Sequence, residues 1–177
     1  MPIEASAGDI LEADHRELDQ LLAELLDELA RDAPDPVTTY HCLDFFWARL
    51  AVHIRAEHLV LFPAVLAAAG EAGREPLTAT LANLRRDHDF FMKELARAVK
   101  VLHLIPDFGN EPGTFEILRT LVKEVAESLS IHDEMEEQRI YPLADQSPWI
   151  GIRILKELEN LPSRYSGMRS SNNDCAL

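Results

Sequence analysis

A chain of 177 residues suits one domain with a substantial core. Its composition, 47% hydrophobic and 27% charged, is that of an ordinary globular protein. A formal net charge of −14 argues against nucleic acid, whose phosphates need a basic footprint, and disfavours anionic membrane surfaces.

The opening MPIEASAGDI has neither a basic n-region nor an apolar h-region, so no signal peptide is read and the cytoplasm is the expected compartment. Hydrophobic period and punctuation then predict four long helices. The first runs from about Asp9 to Arg31 and stops at DAPDP (32–36). The second runs from about Pro36 to Ala69, with a kink or break expected at Pro63. Its near-apolar run LVLFPAVLAAA (59–69) is too short to span a bilayer. Cys42 is expected inside this helix; with Cys175, it gives no disulfide framework.

Gly70 and GREP (73–76) punctuate the chain, and the third helix is predicted from Pro76 to Leu104. After the loop IPDFGNEPG (105–113), the fourth is predicted from Thr114 to Leu143, with Pro142 near its end. A short fifth helix is expected over Pro148–Asn160, capped by Ser147. Its Trp149, Ile150, Ile152, Ile154, Leu155 and Leu158 suit packing on the bundle or a homodimer contact. The tail SRYSGMRSSNNDCAL (163–177) reads as polar and mobile. Short loops between long helices imply an all-α, up-down-up-down four-helix bundle over 1–146, with an added helix within 147–162.

Each long helix carries an apolar stripe in alternating three- and four-residue steps. Ionisable groups interrupt the four stripes at six places: His15, His53, Glu57, His88, His132 and Glu136. An unpaired buried carboxylate costs several kcal/mol or takes up a proton. Six ionisable groups spread over four helices need a common partner, and imidazole and carboxylate are cation ligands. Their offsets agree: His53 and Glu57 lie ten and six residues before Pro63, and His132 and Glu136 ten and six before Pro142. The alternative is a set of core histidines and glutamates that satisfy one another.

The chain also matches itself. HIRAEHLVLFP (53–63) aligns without gaps on HDEMEEQRIYP (132–142), and DHRELDQLL (14–22) matches DHDFFMKEL (87–95) through Asp-His. Each half therefore supplies one lone His and one His-x-x-x-Glu, with the pair one turn apart on one helix face. A pseudo-twofold site follows: two metals, each with two His, bridged by the two Glu.

These motifs resemble the hemerythrin-like, or HHE cation-binding, domain. The resemblance covers about residues 9–144 and rests on Asp14-His15, the HxxxE…LFP of helix two, Asp87-His88, and the HxxxE…YP of helix four. It implies a non-haem di-iron site, oxo- or hydroxo-bridged, with the six stripe residues on the ligand positions. Ligand types alone also permit Mn or Zn. Oxygen-carrying hemerythrins use HxxxH on helix three and HxxxxD on helix four; here Met92 and Glu136 stand instead. The four-His, two-Glu set is similar to that of iron–sulfur cluster repair proteins and of an iron-sensing domain in a ubiquitin ligase. The repair proteins carry an extra Cys-containing domain, and only eight residues precede helix one here, which counts against a full repair role.

The expected function is binding or sensing of O2, NO, peroxide or iron. The alternative is a di-iron oxidoreductase (peroxidase or NO detoxification) or an iron donor in cluster repair; no catalytic residue is named. A third reading is an interaction module in which metal loading controls the 148–160 helix. His58 is expected at the surface or behind a ligand, His41 on a helix flank and His103 at a helix C-terminus. Phe45, Phe46, Trp47, Phe90 and Phe91 read as packing, with Phe46 and Phe91 as possible walls of the site. Met92 reads as core filler, and EMEEQR (134–139) as a solvated face apart from Glu136. Tyr141 reads as structural, with a hydrogen bond to a bound oxygen species as the alternative.

Overall fold

The computed structural model describes residues 5–104, 112–144 and 148–165. Residues 105–111 of the predicted 105–113 loop, the Ser147 cap and the tail beyond residue 165, including Cys175, lie outside the described residues, while Pro112 and Gly113 of that loop are helical. Helix α1 spans Ala7–Ala30. Its start is fixed by a capping box: the Ser6 hydroxyl accepts from the Asp9 amide, and the Asp9 carboxylate accepts from the Ser6 amide, each at 3.1 Å. The helix therefore begins two residues before the predicted start.

Helix α2, Pro36–Ala56, starts with Pro at its first position, and the Asp35 carboxylate accepts from the Thr38 amide at 2.8 Å. Buried Glu28 ties the preceding turn down by accepting from the Asp35 amide at 2.8 Å. The chain then widens into a π-turn, Glu57–Leu61, before α3 continues over Phe62–Ala68. Pro63 cannot donate and its ring would crowd the preceding turn. The wider turn absorbs that conflict, with the Phe62 amide bonding back to the Glu57 carbonyl. The extra residue leaves Leu59 exposed while Val60 and Leu61 are both buried. The segment Pro36–Ala68 is long and apolar enough to cross a membrane by length and composition, but it carries buried Arg49, His53 and Glu57 within the bundle.

Helix α4, Glu71–His103, begins five residues before the predicted start, with Gly70 at its N-cap and Pro76 inside it. Residues 71–76 are all exposed, so the carbonyl that Pro76 leaves without a partner can be hydrated. Helix α5 spans Pro112–Arg139. The second proline is accommodated differently: Ile140 forms a turn, its amide bonded to the Glu136 carbonyl at 2.8 Å, and α6 follows over Tyr141–Ala144.

The four long helices form a closed ring, α1 against α2 and α5, and α4 against α2 and α5. The molecule is all-α, and no strand occurs among the described residues. Helix α7, Pro148–Leu158, lies across α1, α2 and the π-turn. Ile154 and Leu158 face the bundle, while Trp149, Ile152 and Leu155 are exposed. Gly151 permits the close approach, since a Cβ there would meet Ile10 Cδ1 at 3.1 Å and the Ala5 carbonyl at 3.3 Å. The described start of the expected mobile tail, Ser163–Tyr165, is instead a 3-10 turn. Tyr165 is buried against Phe45, and its hydroxyl donates to Asp44 at 2.6 Å.

Two apolar cores fill the bundle. One holds Leu18, Leu25, Phe46, Leu50, Phe91 and Leu129 among others; the second holds Leu11, Leu61, Phe62, Leu84, Ile140 and Ile154. The six ionisable stripe residues belong to neither core, and along α1, α4 and α5 their sequence positions fall between the two sets.

Candidate metal centre

The six residues expected to interrupt the core converge. All are buried, and Glu57 and Glu136 are 0% exposed. They form two groups, His15, His53, Glu57 and Glu136, and Glu57, His88, His132 and Glu136; within each, the possible ligand atoms lie within 4.8 Å of one another. The two glutamates are common to both groups, and each histidine pair joins neighbouring helices. This is the pairing the internal repeat predicts.

All four imidazoles turn Nε2 inward. His15 and His53 bring these atoms to 3.2 Å, and His88 and His132 to 2.9 Å. Each Nδ1 faces a group behind it. Asp14 lies 2.9 Å from His53 Nδ1, and Asp87 3.4 Å from His132 Nδ1. Glu137 lies 3.0 Å from His15 Nδ1, and His58 Nε2 2.9 Å from His88 Nδ1. Three of these four partners are carboxylates, which accept a hydrogen bond from Nδ1–H and so leave Nε2 as a lone pair; this is the outer arrangement of metal-bound histidine. The Asp of each Asp-His motif serves the histidine on the neighbouring helix, not the one beside it in sequence. Asp14 is itself held by buried Arg49, which also bonds Glu17 at 3.0 Å.

The repeat extends to these outer groups. Asp14 corresponds to Asp87, and His58 to Glu137. Glu137, expected on a solvated face, instead stands behind His15 with its side chain 40% exposed. Its alignment with His58 was the signal for this role. His58 lies behind a ligand position, as one of its two readings had it. His41 and His103 contact Tyr40 and are not in either group. Phe91 does wall the site, edge-on to His132 at 5.3 Å between ring centres, whereas Phe46 lies in the adjoining core. Met92 is half-buried against that core, as core filler should be.

Electrostatics within the layer are severe. Burial, then the charge of Glu57, raises Glu136 to about 8. Burial opposes charge on Glu57, but His53 and His88 hold it well below the usual carboxylate range. Burial likewise opposes charge on His132, yet the close Glu136 carboxylate and then the other nearby carboxylates raise it to about 9. His53 is raised well above its ordinary value because Glu57 and Asp14 outweigh its burial. His15 falls to about 4 through burial and its neighbour His53. Asp133, which sequence reading did not single out, is raised to about 7 mainly by burial and sits 3.6 Å from His15 Nε2.

Even with these protons, two oxygens stay unsatisfied. Glu57 Oε2 and Glu136 Oε1 are buried without a hydrogen bond. They lie 3.2 Å from His88 Nε2 and 3.3 Å from His132 Nε2, close but not in hydrogen-bonding geometry. Such orphaned acceptors are costly in a dry interior. A cation between imidazole lone pairs and carboxylate oxygens removes the cost, so the residues fit a metal pair. The mutual-satisfaction alternative leaves these two oxygens without partners.

The chain belongs to the family described as the hemerythrin HHE cation binding domain, whose model matches residues 6–144. The histidine–glutamate cluster fits its four-His, two-Glu subtype. No curated protein and no solved structure matches the chain.

Proposed function

We propose that this protein holds two metal ions, iron by family resemblance, through His15 and His53 on one side, His88 and His132 on the other, and Glu57 and Glu136 between them. The observation that carries this reading is the uniform orientation of the four imidazoles, each Nε2 facing the shared glutamates and each Nδ1 backed by a polar group. Bound there, iron would supply reversible ligand binding and one-electron chemistry. The chain's own residues orient the imidazoles, exclude bulk water between two apolar cores, and hold the two carboxylates on a common layer.

The reading extends to function: the centre binds or senses a small molecule, O2, NO or peroxide, or responds to iron itself. Its support is the burial of all six residues between two apolar cores, an environment suited to a small ligand and not to a bulky substrate. Metal quantitation and absorption spectroscopy on anaerobically purified protein test the centre. About two irons per chain are expected, with a spectrum that changes under O2 or NO and reverses on ligand removal. Catalytic consumption of peroxide or NO with an electron donor would replace the binding role by an oxidoreductase. His53→Ala and His132→Ala should each lose metal; unchanged metal content in both would contradict the assignment.

A further inference from the structure

The two halves of the centre are not alike, and the difference lies at one aligned pair. Tyr141 and Phe62 occupy the same place in the repeat, immediately before Pro142 and Pro63. Phe62 stacks parallel to the His88 ring at 6.0 Å and brings no polar atom. Tyr141 is 1% exposed, and its hydroxyl reaches into the other half. That oxygen lies 2.8 Å from His15 Nε2, 3.3 Å from Glu57 Oε1 and 3.3 Å from Glu136 Oε2.

A phenol has one proton to give. With Nδ1 donating to Glu137, His15 Nε2 is a lone pair and accepts a hydrogen bond from the Tyr141 hydroxyl. The Tyr141 lone pairs then face two carboxylate oxygens. Around the same space His53 Nε2 stands 3.2 Å from Glu57 Oε1 and 3.2 Å from His15 Nε2. Separations of 2.8 to 3.3 Å are those of adjacent ligand atoms around one cation, since bonds of about 2.1 Å at right angles put neighbours about 3.0 Å apart. Without metal, His53 faces these oxygens as the positive group; a cation takes that place once His53 gives up its proton, and the tyrosine oxygen is among the atoms that surround it.

We propose that the Tyr141 oxygen is a seventh protein ligand, bound to the metal on the His15/His53 side, its proton released to solvent on loading. The counterpart position beside Phe62 gets no such ligand, so the His88/His132 side is where a small external molecule binds. This inference rests on the two-metal reading above.

Iron-loaded, air-oxidised protein should show a visible phenolate-to-iron(III) charge-transfer band. Resonance Raman excitation within it should enhance tyrosine ring modes. The chain has three tyrosines, and Tyr40 and Tyr165 contact other groups, so Tyr40→Phe and Tyr165→Phe should keep the band. Tyr141→Phe should lose it while retaining both irons and the helical circular dichroism. Full iron loading of the wild type without tyrosine ring modes overturns the proposal and leaves the metal site standing, even if Tyr141→Phe does not fold. A band that survives in Tyr141→Phe also overturns it. Failure of the wild type to take up metal overturns both readings together.

Discussion

Asp14 shows how much of the buried layer depends on side chains outside its six histidines and glutamates. It accepts from buried Arg49 and faces His53 Nδ1 at 2.9 Å, with its own side chain 6% exposed. Asp14→Ala would leave buried Arg49 with only the solvent-exposed Glu17 carboxylate, a loss of up to about 3 kcal/mol in the metal-free chain. Metal affinity should fall about 10–100-fold as His53 loses its orientation. Its repeat counterpart Asp87 is 48% exposed and stands farther off, at 3.4 Å. Asp87→Ala should therefore cost much less stability. Denaturant unfolding and competitive metal titration on the two variants test the contrast; equal losses would mean that Arg49 contributes nothing.

At the same scale, protons compete with the cation. A ligand atom must shed its proton to bind. In the metal-free chain at pH 7, His132 at about 9 and Glu136 at about 8 still hold theirs, and His53 lies well above its ordinary value. Loading therefore expels protons, and apparent affinity should rise from about pH 6 to pH 9. Calorimetry in buffers of different ionisation enthalpy reads the proton count directly; a flat affinity over that range would refute the assignment of these protons.

Among the elements, the long helices were legible because their apolar steps are regular and their ends carry Asp35, Pro36 and Gly70. The π-turn at Glu57–Leu61 was not, because an added residue in a helix leaves the composition of its stripe unchanged. Pro76 misled because proline marks a first turn more often than an exposed second one. The six stripe residues stood out as polar groups in apolar company. Glu137, Arg49 and Asp133 did not, since each lies on a helix flank where a charge is ordinary until a neighbouring helix covers it. Tyr141 was visible as the aromatic before Pro142, but no pattern in the chain tells which way its hydroxyl points.

Helix α7 makes its own prediction. Gly151→Leu would drive a side chain against Ile10 and the Ala5 carbonyl, and overpacking of this kind costs about 1–3 kcal/mol. Ile154 and Leu158, buried against the bundle, should become exposed as α7 lifts away. A lowered Tm with greater protease sensitivity near residue 150 is the expected readout. An unchanged Tm would mean that α7 contributes little to the packing of α1 and α2.

On the scale of the molecule, a charged layer lies between two apolar cores, and its partners come from all four long helices. Metal that binds only the folded chain stabilises it in proportion to the logarithm of its concentration. The layer also explains why the fold tolerates six buried ionisable groups: their mutual pairing covers most of the cost, and a cation covers the two oxygens that pairing leaves over.

The exposed junction at Gly70 joins two helix pairs that each bring two imidazoles and one carboxylate. Each pair alone supplies half of the donors that face the layer. Cleaving the polypeptide at that seam would yield two fragments whose reunion is driven by the ion they share, turning an intramolecular centre into a metal-dependent clasp.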